Sequence, residues 1–467
     1  MKNLGNEEMV QTGQKPPGFA YKILRLFTVV HPGEALSVLL LTLNVFFLLT
    51  AYYILKPIRD ALIVEEWGAN IKLYLNAVAA VLLIFVVKIF SSIASRFPRQ
   101  KLITWVTLFF ISNIVIFYIL HLSGIGPAVF GIGFFIWVGI FNLVVIAQFW
   151  GFANDLYTEE EGKRLFPLIA FGAVFGGFAG GMITSWLVEP LGKYQLLLIS
   201  GGLLGICILF TWIIHRREIK RIEAKVSEVG QEEKLKVEVH ERPLEKVGAF
   251  QLLFKNRYLL YIGFFVLLMN FINTNGVFIL DKVGEIAAAK ATEAEFMTKF
   301  YASFYNIQNL FAMFVQLFVV SRVFKWFGVR VAIFILPVLA LGGYFFVGLG
   351  AALVLVKWVK ALENGADYSL VNTARHSLFL ITSREEKYKA QAVTKTFFHR
   401  AGDVLAAVFV FSCTTFLAFF TIENVAMVNV VLVLIWITIC ILIFKEHKRL
   451  SEKKAELGVE YLKTDEK

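Results

Sequence analysis

The sequence predicts an all-α integral membrane protein of twelve transmembrane helices, arranged as two parallel six-helix repeats. Three observations carry this. The 467-residue chain is 58% hydrophobic and only 17% charged, too apolar for a soluble protein of this length. Apolar blocks of about 20 residues, the length that spans a bilayer, recur along it. The chain also resembles itself at an offset of 224–226 residues.

The twelve expected spans are 36–58, 71–93, 102–121, 126–150, 165–188, 195–214, 257–280, 300–320, 330–350, 351–373, 393–420 and 424–444. The ninth and tenth nearly fuse at Gly348-Leu349-Gly350. Residues 1–35 form the N-terminal segment, whose first part, Met1 to Pro17, is polar and lacks the short apolar core of a signal peptide. Within it, the stretch from Phe19 to Val30 reads either as an interfacial helix or as an extension of the first span. The first half is 36–214, the second 257–444, and 445–467 is a charged tail. The connection 215–256 mixes Glu and Lys and reads as a helix joining the halves or as a solvated spacer. With both termini placed in the cytoplasm, thirty-five of the 46 Lys and Arg fall on the inside and seven on the outside, Lys72 among the seven. That asymmetry accounts for the net charge of +11 without nucleic acid. The three cysteines, Cys207, Cys413 and Cys440, sit in apolar blocks with no disulfide or metal spacing. No phosphate-binding G-x-x-x-x-G-K-[ST] occurs, which argues against an ATP-hydrolysing pump, and neither cofactor nor metal is expected.

Four places align in the internal repeat. Tyr53 to Asp60 lies over Phe278 to Glu285, and Ser95-Arg96 over Ser321-Arg322. Val138 and Asn142 lie over Glu363 and Asp367, and Thr158-x-x-Glu161-x-Lys163 over Thr382-x-x-Glu385-x-Lys387. Six spans per half keep both copies in one orientation. That is the plan of major facilitator transporters, with a substrate site between the halves.

Spans 1, 4, 7 and 10 would then line the cavity, and polar residues cluster there. Lys56 and Arg59 lie three residues apart and can point the same way. With Asp60 they read as an anion-binding group, or as a cluster in which Arg59 and Asp60 neutralise each other. Pro57 between them removes a helix hydrogen bond and is a candidate kink. Asn142 in the fourth span reads as cavity-lining or as an interhelical hydrogen bond. Asn270, Asn273 and Asn275 in the seventh read as cavity-lining, as a polar network, or as a break in the helix at Asn275-Gly276. Gly172, Gly176, Gly177, Gly180 and Gly181 in the fifth span read as a close-packing surface. Lys360, Glu363 and Asp367 form one stripe in the tenth span, and Arg400 and Asp403 another in the eleventh. Buried charges in a membrane are costly, so these are expected in transport chemistry, as gates between halves, or as salt bridges within one span. His376 and His399 are weaker candidates as proton carriers.

These residues resemble the ATP/ADP translocase family, the nucleotide transporters of plastids and intracellular bacteria. The resemblance rests on K-P-I-R-D (56–60), F-W-G-F-A-N-D-L-Y-T-E-E-E-G-K-R-L-F-P-L (149–168), D-Y-S-L-V-N-T-A-R (367–375), S-R-E-E-K-Y-K-A-Q-A (383–392) and R-A-G (400–402). It implies exchange of a nucleoside triphosphate for a diphosphate without hydrolysis. Carried over by position, the family's first-span cation falls on Arg59 and the basic residue of its Y-S-L-x-x-x-x-[KR] run on Arg375. The chain departs from the family pattern at Val138, where a fourth-span acid is expected, and at Asp403, where a lysine follows R-x-G. Together with the residues read from the spans themselves, this gives a candidate substrate-binding set of Lys56, Arg59, Asp60, Asn142, Asn273, Asn275, Glu363, Asp367, Arg375 and Arg400.

The resulting expectation is an ATP/ADP exchanger, not an enzyme, working as a monomer in a bacterial inner membrane. Its partners are the carried nucleotide and the lipid bilayer. The competing readings are a proton-coupled carrier of another organic anion, with Glu363 or Asp367 as proton site, and a membrane receptor or scaffold that transports nothing.

Overall fold

The structure is a computed structural model that describes residues 34–94, 97, 99–157, 159–228, 249–350, 352–382, 393–416 and 421–464. The expected interfacial segment at 19–30, residues 229–248 of the connection, and the 383–392 motif lie outside them. Every described element is helical, as lipid requires of any chain that is not a closed barrel. The elements are α1 (Ala35–Ala94), α2 (Arg99–Leu122), α3 (Pro127–Leu156), α4 (Glu159–Leu191), α5 (Lys193–Glu228), α6 (Ala249–Lys255) and α7 (Arg257–Ala288). They continue with α8 (Phe296–Phe314), α9 (Val320–Trp326), α10 (Val329–Gly348), α11 (Leu353–Ala366), α12 (Asn372–Leu378), α13 (His399–Phe416) and α14 (Ile422–Thr464).

Among the described residues, eight stretches are long and apolar enough to cross a membrane: 35–83, 100–122, 127–156, 164–191, 193–217, 257–288, 329–348 and 422–452. The chain is thus a multi-pass membrane protein. The shortfall from twelve has a local cause. The first two expected spans run on as α1, which leaves helical geometry at Gly68 (φ 78°, ψ 167°) and not at Pro57. That φ is open to glycine and strained for other residues. The eighth, tenth and eleventh are interrupted by five-residue π-helical segments at Val315–Val319, Asp367–Val371 and Thr394–Phe398. The near-fused ninth and tenth separate at Gly350, whose φ is 88°.

Buried side chains form two main cores. One is drawn from α1–α5, residues 38–214. The other is drawn chiefly from α7–α14, together with Ala61, Val64, Ala69 and Leu73 of α1. Between the two bundles, α4 uses both faces of its glycine run. A Cβ on Gly172 would lie 2.6 Å from the Thr42 carbonyl oxygen of α1, and one on Gly180 2.5 Å from that of Thr50. Gly176 meets the Phe46 carbonyl in the same way. On the other face Gly177 and Gly181 abut Asn309 and Asn306 of α8. Small residues let the backbones approach, which is how helices gain packing energy in lipid.

This close approach is testable. Gly176→Val should cost about 1–3 kcal/mol by overpacking and lower the melting temperature of the purified protein in detergent. Gly139→Ala, where a Cβ meets open space, should leave it unchanged or slightly raised.

Candidate functional site

Near the Gly68 bend, α1 meets α7 and α8 around a buried group of charges. Asp60 is fully buried. Arg59 donates from both Nε (2.9 Å) and Nη2 (2.7 Å) to its Oδ1, and the Tyr305 hydroxyl of α8 donates to its Oδ2 at 2.5 Å. Lys72, beyond the bend on α1, lies 3.7 Å from Asp60 and donates to Asp281 of α7 at 2.8 Å. The Tyr301 hydroxyl donates to the same Asp281 oxygen at 2.6 Å. A buried carboxylate survives only with such compensation, and here it comes from both bundles. Further out, Glu285 accepts from the Ala69 backbone N–H at 3.1 Å. Lys193 of α5 pairs with Glu65 and with Glu295 beside α8, and Lys299 of α8 with Glu189 of α4.

These groups surround a cavity of about 150 Å³ lined by Lys56, Arg59, Asp60, Lys72, Asn76, Asn273, Asp281, Tyr301, Tyr305, Asn364 and Tyr368, among others. The Lys56 ammonium lies 4.0 Å from the Tyr305 ring centroid and 5.2 Å from that of Tyr53. Among the described residues no carboxylate lies within ion-pair distance of it. The Arg59 guanidinium stacks on Phe135 of α3 at 4.7 Å. A larger cavity of about 860 Å³ is lined by α1, α4, α8, the 367–371 segment and α12, and shares Tyr368 with the first.

Of the expected site residues, the structure gathers Lys56, Arg59, Asp60 and Asn273 at the smaller cavity. Asn273 accepts from Lys360 at 2.6 Å. Lys360 pairs with Glu363 at 3.1 Å inside their own helix, and Tyr344 also donates to Glu363. Asp367 pairs with Arg375 at 3.6 Å, and Arg400 with Asp403 at 3.3 Å. Each pair therefore lies within the second bundle, where the sequence left open a gate between halves. Arg375 lines a separate pocket of about 300 Å³ with His376 and His399, inside that bundle. Asn275 turns away from the cavity and donates to Asn429 of α14 at 3.0 Å. Asn142 is half-buried on α3 and is not among the residues lining either cavity between the bundles.

Sequence reasoning missed Lys72, Asp281, Tyr301 and Tyr305. Lys72 was assigned to an outside connection, yet it is 2% exposed. A signal for Asp281 was present, since the internal repeat lays it over Lys56, and Glu285 over Asp60.

Solved transporter structures share this architecture. A nucleoside transporter, NupG, matches with a TM-score of 0.59 at 14% identity, over 88% of this chain and 98% of that one. A POT family transporter in complex with 5-aminolevulinic acid matches with a TM-score of 0.61 at 14% identity, over 88% and 96%. The chain thus shares the helical fold of these two structures. In sequence, the TLC ATP/ADP transporter family model matches residues 130–356. The ADP,ATP carrier protein 1 of Chlamydia muridarum is 25% identical over 470 residues, covering 86% of this chain and 84% of the relative. The chloroplastic ADP,ATP carrier protein 1 of Arabidopsis thaliana is 31% identical over a shorter 87-residue match, 15% of this chain and 14% of that one. In sequence the chain is therefore similar to ATP/ADP transporters, the family model matching just under half of it and the chlamydial carrier most of it.

The charge cluster makes a stability prediction. Lys72→Met leaves Asp281 and Asp60 short of a buried cation and should destabilise by about 3–5 kcal/mol. Adding Asp281→Leu should recover most of that loss. Melting curves of both purified variants would check it; a double variant no more stable than the single would contradict the pairing.

Proposed function

We propose that the protein is a nucleotide carrier that exchanges ATP for ADP by alternating access. In this reading the chain crosses the membrane twelve times as two six-helix halves, 36–214 and 257–444. Both termini are cytoplasmic, and the Gly68 end faces outward.

The observation that carries the proposal is Lys56, an ammonium held against tyrosine rings without an ion-pair partner among the described residues, beside Arg59 and Lys72. Three cations face two carboxylates, so the cavity retains positive charge for an anionic cargo. Arg59 offers the forked donor geometry that suits phosphate. In a low-dielectric cavity each such attraction is worth several times its value in water. Asn273 and Asn364 supply neutral polar contacts on the second bundle.

The same charges favour exchange over leak. Opening the Gly68 end must part Lys72 from Asp281 across the bundle interface. An empty carrier that did so would strand buried charges at a cost of several kcal/mol. A phosphate can take the place of Asp60 or Asp281 as the anion facing Arg59 and Lys72, so the loaded carrier avoids that cost. Differential binding to the switching state is what lets substrate drive the change. The family and relatives support nucleotide cargo and do not favour the proton-coupled alternative.

In proteoliposomes loaded with ADP, labelled ATP should enter only when ADP is inside, should be competed by external ADP, and should be unaffected by a protonophore. Uptake that is not competed would overturn the proposal. Arg59→Gln, losing charge-assisted hydrogen bonds, should raise KM by at least about tenfold.

A further inference from the structure

We infer that the larger cavity is the subsite for the nucleobase, with Asn309 reading its edge; this rests on the nucleotide reading of the neighbouring cation cavity. The two spaces divide by chemistry. The smaller one holds Lys56, Arg59, Lys72, Asp60 and Asp281. Among the described residues lining the larger one, none is charged. Tyr53, Phe171 and Tyr368 supply aromatic surface, and Asn309 and Gln316 supply amides. A ligand that fills both must be anionic at one end and neutral, planar and polar-edged at the other. The space of about 860 Å³ is of the size that buries a small organic ligand.

Asn309 marks where the edge is read. It is 6% exposed, and its Nδ2 completes no hydrogen bond of normal length among the described residues, the Tyr53 hydroxyl being its one neighbouring acceptor there. It lines the cavity from α8, beside Gly177 of α4, where a Cβ would come within 2.9 Å of that same nitrogen. The amide carries two N–H donors and Tyr53 can take at most one, so the natural complement of the other is an acceptor on the ligand. A purine ring nitrogen meets that need, with the side-chain carbonyl free for an exocyclic amine. Tyr368 sits in the π-helical segment Asp367–Val371, lines both cavities, and is 54% exposed. Its ring therefore stands where base and phosphates join. Aromatic stacking on a base gives affinity for any nucleotide, and the amide adds the choice among bases.

The test measures exchange of labelled ADP in proteoliposomes against ATP, GTP, UTP and inorganic tripolyphosphate. The proteins compared are wild type, Asn309→Leu, Asn309→Ser and Arg59→Gln. Both Asn309 variants should flatten the preference among bases by about tenfold, the ratio that one lost hydrogen bond gives. Inhibition by tripolyphosphate should stay at the wild-type level in them. Arg59→Gln should weaken all four competitors together and keep the base preference. If wild type is competed by nucleotides and both Asn309 variants keep its base preference, the subsite assignment is wrong and the nucleotide reading stands. If Asn309 variants lose tripolyphosphate as strongly as ATP, Asn309 acts on the phosphate end and the assignment also falls. If wild type is not competed by any nucleotide, both fall. Should the serine variant alone give folded protein, its selectivity ratios decide the matter.

Discussion

A single buried carboxylate sets the terms for one end of this molecule. Asp60 is removed from water at the meeting of two helical bundles, and an unpaired charge there costs several kcal/mol. Its compensation is spread over three elements: Arg59 beside it, Lys72 past the Gly68 bend, and Tyr305 on α8. Lys72 in turn is shared with Asp281 of α7, which also takes a hydrogen bond from Tyr301. No member can leave alone without exposing another. The more accessible pairs around it, Lys193 with Glu65 and Glu295 and Lys299 with Glu189, join the bundles at the rim. Surface pairs of that kind contribute at most about 1 kcal/mol each. The buried cluster, and not the rim, therefore holds this end together.

The two bundles reach the interface by different local means. In the first, α4 brings bare backbone against α1 and α8 through Gly172, Gly176, Gly180, Gly177 and Gly181. This is rigid packing with no room for a side chain. In the second, helices that line the larger cavity carry π-helical segments, Val315–Val319 after α8 and Asp367–Val371 after α11. A π turn breaks the regular hydrogen-bond ladder and re-aims the side chains around it, and such turns are frequent at functional sites. Gln316, Tyr368 and Ser369, all within these segments, line the cavity. One wall is fixed by close contact, and the other is shaped by departures from α geometry.

What the sequence made legible follows from these differences. Apolar blocks of span length and the glycine spacing are local properties, so the helical membrane class and the α4 packing surface could be read directly. The Lys56–Asp60 group was legible because three charges in five residues stand out in an apolar span. π-Helical turns leave no hydrophobic signature, so three expected spans look uniform in sequence and are interrupted in space. Lys72 was misread because charge near an expected loop is ordinarily taken as exposed, whereas α1 continues through the bend and carries it inward. Its contacts with Asp281 and Tyr301, and that of Asp60 with Tyr305, join segments more than 200 residues apart, and pattern within a single helix cannot reveal them. The internal repeat singles out Asp281 alone, by setting it at the position of Lys56, and carries no sign that its cation is Lys72.

The chain's two departures from the family pattern make physical sense within this geometry. Val138, where an acid was expected, is fully buried in the first core. One turn earlier on the same face of α3, Phe135 sits against the Arg59 guanidinium. That helix thus meets the cation with a ring and not with a carboxylate, which holds the side chain in place while leaving its charge to be satisfied elsewhere. Asp403, where a lysine was expected, is engaged by Thr274 and Arg400 within its own bundle. It adds no charge to the cavity around Lys56. With no acid at 138 the positive charge of that cavity is not offset from α3, and with no lysine at 403 none is added from α13, so it rests on α1. An anion held there is gripped chiefly from one bundle. Its hold on the other must then come through Lys72's exchange of partners with Asp281 and through the neutral groups of α7, α8 and α11. Binding and the parting of the bundles are in this way written into the same few hydrogen bonds.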